Sequence, residues 1–404
     1  MNYIKKEMTL KEIVNTYPET IEFFNLKGFK GLDNKTLLNT IGKITIQKAL
    51  EAKKINVDTF LELLDDIIEQ DRNSEDVNLN KKINDEDAVS IMGLLPCPVK
   101  NPLLEGLKKF QLETGMKINH ELKAASSGLD WLKEDVIKAN HPEKLADMFI
   151  SAGFDLFFED ELMGKFKQEG IFKDITGMTE YNKDFNNENI SLKDPDGDYS
   201  MLAVVPAVFL VNTDALGDRP FPKSWADLLK PEFENSVSLP ISDFDLFNAI
   251  LISIYKNYGE DGVKKLGKTL LQNMHPSQMV KSNKLKINVP AVTIMPYFFT
   301  KMTGQGGPMV AQWPEDGAAL SPIFMLTKKS KEKELKPLAD FFASKEIGEI
   351  LSHQGLFPTV NPEVENNLGD KKFMWVGWDY IKNNDIGAIL KHCEKLFFQE
   401  AKKV

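Results

Sequence analysis

YSMLAVVPAVFLVNTDAL, residues 199–216, decides how this chain is organised. Met201 to Val211 is apolar almost without interruption, the composition of a strand covered on both faces rather than one. The stretch then breaks at Asn212-Thr213-Asp214. Downstream, Ser224 and Asp227 have the spacing of a helix cap ahead of Pro231. Ser236 to Leu239 reads as a short strand. Ser242 with Asp245 then starts a long helix towards Tyr258. Val289 to Met295 and Ala319 to Leu326 are further strands, and a helix around Leu338 to Leu351 ends at Gly355.

Upstream the same alternation holds. Ala88 to Leu95 is a short apolar strand, and Asn101-Pro102 opens a helix that closes at Gly115. Ile118 to Lys123 is the next strand, ending at Ser126-Ser127-Gly128. Ser127 with Asp130 then caps a helix, and Phe154 to Phe158 forms a third strand. Strands separated by helices define an α/β fold with a mostly parallel sheet.

Residues 1–70 differ. They carry only helical periodicity, with Thr9 and Glu12 as a capping box and Pro18, Gly28 and Gly31 as breaks. Leu37, Leu38 and Ile41, then Phe60, Leu61, Leu64 and Ile68, recur at helical spacing. Residues 71–86 are polar and aperiodic and read as a linker. The expected organisation is a small all-α domain at 1–70, the linker, lobe 1 at 87–204, lobe 2 at 205–312, and a return to lobe 1 with C-terminal helices at 313–404.

Four segments in this order resemble the ferric-ion and polyamine branch of the ABC-transporter solute-binding proteins. The first is the crossing strand quoted above. PKSWADLLKPEF at 222–233 is similar to the family's Pro-x-Ser/Thr-Trp-x-Asp-Leu signature, WPEDGAALSPIFMLTKKS at 313–330 to its return crossing, and PLADFFASKEIGEIL to the helix that follows. The likeness spans residues 86–360. It implies a two-lobed fold of the periplasmic-binding-protein type that closes on a ligand by hinge motion. It also implies that the protein is not an enzyme. Residues 1–70 resemble, more weakly, a small helical domain of unknown function.

In such a fold the strand-to-helix turns reach the cleft. The first holds Cys97 between Pro96 and Pro98, to be weighed against a packed small residue. The second holds Ser126 and Ser127 at a helix start, which suits an oxyanion or plain capping. Ser242 and Asp243 pose the same choice. The resemblance places a metal-ligating carboxylate at Glu159 or Asp160, and Tyr297 where ferric-binding relatives present adjacent tyrosines. Positions 298 and 299 are phenylalanine here, so the phenolate pair is missing. Cys97, Asp160 and Tyr297 would suit a bound transition-metal ion with a soft donor. Cys393 shares a helical face with Ile389, Leu390, Leu396 and Phe397 and belongs to the core. His120, His141, His275, His353 and His392 have no metal-binding spacing, and Gly304–Pro308 lacks the setting of a phosphate loop.

The 404 residues exceed one ordinary core. With 50 basic and 60 acidic side chains the net charge is −10, which disfavours nucleic acid and anionic membrane as partners. The amino terminus lacks the pattern of a secretory signal, and no stretch has the length to span a bilayer. Two distant cysteines suit a reducing compartment. These features lead us to expect a cytoplasmic carrier, sensor or chaperone for a small ligand, metal ion or anion, with a protein partner for the helical domain. The alternatives are a cysteine-dependent enzyme, with Cys97 as an activated thiolate, or an adaptor.

Overall fold

The computed structural model describes residues 3–17, 20–26, 29, 32, 38, 42–53, 55, 57, 60, 61, 64, 65, 68, 80, 81, 88–125, 129–139, 141–241, 243–303 and 306–401. The chain divides into two compact units, Met1–Leu79 and Asn80–Val404. The first is helical, with described helices Leu10–Thr16, Thr20–Leu26 and Ile46–Ala52. Thr9 and Glu12 form the expected capping box, each side chain accepting from the other's backbone N–H. Ile13, Phe24, Ile46, Leu50, Leu64 and Ile68 lie in its core, where Phe23, Phe24 and Phe29 pack around Phe60.

The second unit is α/β. Its strands are β1 (Asn80–Lys81), β2 (Val89–Leu95), β3 (Ile118–Ala124), β4 (Met148–Ala152), β5 (Tyr199–Asn212), β6 (Val237–Leu239), β7 (Leu270–Asn273), β8 (Val292–Pro296), β9 (Met309–Gln312), β10 (Ala318–Thr327) and β11 (Phe373–Met374). They form one sheet in the order β1-β3-β2-β4-β10-β5-β8-β6-β7, with β11 beside β10 and β9 beside β5. β2, β3 and β4 are mutually parallel on one side, and β6, β7 and β8 on the other. These two halves are the lobes. β5 and β10 run antiparallel through both, and all 14 residues of β5 and all 10 of β10 are buried.

The register of this pair locates the gap between the lobes. β4 reaches Ala152, opposite Ile323, which pairs with Ala203. β8 reaches Pro296, opposite Ala207, which pairs with Ala319. These levels are four residue steps apart along each crossing strand, with three residues between them, about 13 Å at 3.3 Å per step. Pro322 and Pro206 each fall one position inside the gap. A proline cannot donate to a ladder, and here the flanking strands have just ended. Next to the gap, between Ile323 and Phe324, the β5/β10 register shifts at Leu202. The Leu202 carbonyl turns outward to accept from Val360 N–H and Thr359 Oγ1.

Trp225 ties lobe 2 to the return strand. Ser224 caps the helix Trp225–Leu228 as expected, and the fully buried indole packs edge-on to Phe209. Its Nε1 donates to Gly317 O at 3.0 Å, while its backbone N–H donates to Asp316. The long helix Phe244–Thr269 breaks at Gly259, whose φ is 66°, and packs along the C-terminal helix Ile386–Ala401 through Phe247 and Phe397.

Several expected boundaries are corrected. The third strand is Met148–Ala152, not Phe154–Phe158. The chain leaves the sheet at Gly153 with φ 88°, and Leu156–Phe158 is a tight 3₁₀ turn of buried rings. The first large helix is Lys100–Thr114. The turn Cys97–Val99 already winds the backbone, so Asn101 lies inside the helix, and Gly115 closes it with φ 67°. The next helix, Asp130–Lys138, has Leu129 at its cap position without a side-chain cap. Asp243 stands at the cap of the long helix, also without a side-chain bond. The helix expected over Leu338–Leu351 is two, Glu332–Phe342 and Lys345–Glu349, separated at Ser344, which caps the second. The Pro18, Gly28, Gly31, Leu37 and Ile41 readings and most of the linker lie outside the described residues. Asn80–Lys81, within that segment, pairs with β3.

Trp225→Phe keeps an aromatic ring but removes the pyrrole part of the indole, leaving the Gly317 carbonyl without its donor and a small void beside Phe209. We expect it to lower the unfolding free energy of the α/β unit by about 1–3 kcal/mol. Denaturant melts followed by circular dichroism would check this.

Candidate functional site

The strand directions make the two lobes point at each other. β4 is antiparallel to β10, while β8, antiparallel to β5, runs parallel to it. The carboxyl ends of the two lobes' strands therefore face one another across the gap, where α/β sheets bind ligands. Lobe 1 contributes the turns after β2 (Pro96–Pro98) and β4 (Gly153–Asp155). Lobe 2 contributes those after β6 (Pro240–Asp243) and β8 (Tyr297).

The β4 turn meets the start of the helix Phe244–Thr269. A Cβ placed on Gly153 would lie 2.6 Å from the Asp245 Cβ, so only glycine allows the approach. Two residues on, Asp155 Oδ1 accepts from Asn248 Nδ2. Asn248 is buried, and its Oδ1 has no hydrogen-bond partner among the described residues. Three carboxyls are thus gathered, Asp155 from lobe 1 and Asp243 and Asp245 from lobe 2. Burial, and then the Asp245 charge, push Asp155 up to about 7, against the lowering effect of the Asn248 amide. Burial raises Asp243 well above the usual carboxylate range, aided by the charge of Asp245 and a hydrogen bond to it. Two carboxyls joined in this way hold a proton between them.

Cys97 is exposed, at the head of the 3₁₀ turn Cys97–Val99, and close enough for its charge to act on Asp243. Asp160 is exposed at the start of a π-helical turn, Asp160–Gly164, and its charge acts on Lys167 and Tyr199. Glu159 is held by Lys133 and Lys391 at 3.5 and 3.3 Å. Tyr297 begins the short helix after β8, with its ring against Trp313 and the Lys301 ammonium 5.1 Å from its centroid. Cys97, Asp160 and Tyr297 thus stand among different neighbours. Among the described residues no three His, Cys, Asp or Glu are grouped to hold a metal ion. Ser126, Ser127 and Ser242 lie outside the described residues, while Asp243 falls in the acidic group.

Sequence reasoning missed Asp155, Asp245 as a cleft residue, and Asn248. Asp155 was hidden by the misplaced strand, although the break at Gly153, fifth in FISAGFD, was a usable signal. Cys393 is fully buried in the core as expected, and burial pushes its thiol up to about 12. The histidines are dispersed. His275 caps the helix Pro276–Met279, His353 meets Glu365 O, and His392 lies 3.0 Å from Glu260.

Two lobes on a shared pair of crossing strands, with a polar cluster where their strand ends meet, define a hinged binding protein. Residues 143–384 match the model for bacterial extracellular solute-binding proteins, and residues 4–61 match a domain of unknown function. The chain belongs to the bacterial extracellular solute-binding protein family. No match was found among curated proteins. Among solved structures, apo ferric ion-binding protein A of Pasteurella haemolytica has a TM-score of 0.57 at 15% identity, over 77% of this chain and 98% of that one. The ferric binding protein of Campylobacter jejuni gives 0.55 at 18%, over 76% and 99%. The fructose-6-phosphate-bound protein AfuA of Actinobacillus pleuropneumoniae gives 0.54 at 17%, over 79% and 100%. At these identities the likeness is one of fold.

The two thiols should separate cleanly. Iodoacetamide should modify Cys97 in the native protein and Cys393 only on unfolding, so mass spectrometry should find one adduct before denaturation and two after. Two native adducts would contradict the burial of Cys393.

Proposed function

We propose that this protein closes its lobes on a small cationic solute bearing an ammonium or guanidinium group. The observation that carries this reading is the approach of Asp155 from lobe 1 to Asp245, and through it to Asp243, from lobe 2 across the gap. Carboxyls gathered out of water repel one another and raise their own proton affinity. A cationic group between them relieves both penalties and makes charge-assisted hydrogen bonds. An organic cation suits the site better than ferric iron. Tyr297 has phenylalanines rather than a second phenol beside it, and no metal-holding trio is present among the described residues. The role is binding, not catalysis. We place it inside the cell as a carrier or sensor, a reading supported by the exposed, unpaired Cys97, which suits a reducing compartment.

Thermal shift and calorimetry with diamines, arginine, ferric ion, inorganic phosphate and a sugar phosphate would test the reading. A bound organic cation should stabilise the folded state by about 2.7 kcal/mol at a hundredfold excess over its Kd. Asp243→Asn and Asp245→Asn should each weaken it at least about tenfold, or 1.4 kcal/mol. Binding of phosphate or a sugar phosphate, with no response to any organic cation, would overturn the proposal.

A further inference from the structure

The Asp155–Asn248 contact joins residues 93 apart, one from each lobe. Its chemistry is incomplete as a carboxylate–amide pair. Asn248 Nδ2 has its acceptor, yet Asn248 Oδ1 is buried with no donor among the described residues, a costly state for a carbonyl. A neutral Asp155 carries the O–H that Oδ1 lacks, so the protonated acid and the amide satisfy each other in both directions. The close approach of Gly153 to Asp245 brings a second carboxyl to the same face, and that too favours the neutral form of Asp155.

We propose that Asp155 and Asn248 form a proton-operated latch, in which protonation of Asp155 holds the lobes together and its ionisation releases them. The inference goes beyond the binding reading and does not depend on the identity of the solute.

The groups facing Asp155 agree with this role. Asp245 lies on the helix Phe244–Thr269, Glu159 on the segment after the 3₁₀ turn, and Glu394 on the C-terminal helix, and all three raise it. Lys133 and Lys391 are engaged by Glu159, so the nearby positive charge is spent on that carboxylate. Asp243 shares its hydrogen bond with Asp245. In the closed arrangement Asp155 titrates at about 7, whereas a carboxyl facing open water titrates near 3.8. Between those values the closed form binds one more proton than the open form. Closure is therefore fully favoured below the open-state value and is lost as pH rises through about 7.

The test is small-angle scattering of the full-length protein, without added solute, from about pH 8.5 down to about pH 5, across the interval where one linked proton changes the closed-to-open ratio roughly tenfold per pH unit. The wild type should become more compact as pH falls. Asp155→Asn offers Asn248 a donor and an acceptor at every pH, so it should stay compact and lose this dependence. Asn248→Leu should stay open throughout. Movement of the helical domain affects all three proteins alike and cancels in the comparison. A wild-type profile that does not change with pH, or an Asp155→Asn protein with the full wild-type dependence, would sink the latch. Both outcomes are readable even if Asn248→Leu fails to fold, and neither bears on which solute the cleft accepts.

Discussion

The antiparallel pairing of β5 with β10 is the constraint on which everything else in the α/β unit rests. Among the described strands no other belongs to both lobes, so their mutual position rests on these two strands, on the packing of helix Phe244–Thr269 against the C-terminal helix, and on whatever meets across the gap. The pair is buried throughout and anchored at both ends, by Leu202 and the 358–360 segment in lobe 1 and by Trp225 on Gly317 in lobe 2. Between the anchors the ladder narrows to two strands carrying Pro206 and Pro322. Fewer flanking hydrogen bonds there make this the place where bending disturbs least, and hinges are a few residues that absorb such changes.

The same register that builds the hinge creates the electrostatic problem in the cleft. Strands that end head-on bring their following turns together. In this chain the meeting turns carry Asp155 on one side and Asp243 and Asp245 on the other. Closure therefore desolvates acids beside one another, which is unfavourable unless protons or a cation accompany it. Gly153 shows that the approach is accommodated rather than avoided, because any side chain there would strike the Asp245 backbone.

Much of the fold was legible in the sequence because its signals are local. The apolar run of β5, the Thr9–Glu12 and Ser224–Asp227 caps and the stop at Gly115 each depend on residues within a few positions of one another. β4 was misplaced because the aromatic cluster at 154–158 outweighs Met148–Ala152 in apparent strand character. Those rings serve packing instead, Phe157 and Phe158 against Phe324 and Phe154 against Trp375. The site was less legible for a different reason. Asp155 and Asn248 are unremarkable residues in their own neighbourhoods. What distinguishes them is a contact across 93 positions, and no periodicity or motif encodes that.

This also changes which thiol chemistry the cleft can support. Cys97 was the conspicuous residue of the first turn, pinned between two prolines. An activated thiolate needs a positive or strongly polar environment. The neighbour the structure gives it is the acid Asp243, and among the described residues no metal-holding trio of His, Cys, Asp or Glu surrounds it. Its surroundings are therefore those of an exposed turn at the edge of the cleft, beside an acid. The most marked electrostatic feature of the cleft is thus the convergence of carboxyls from two lobes rather than the thiol at its edge.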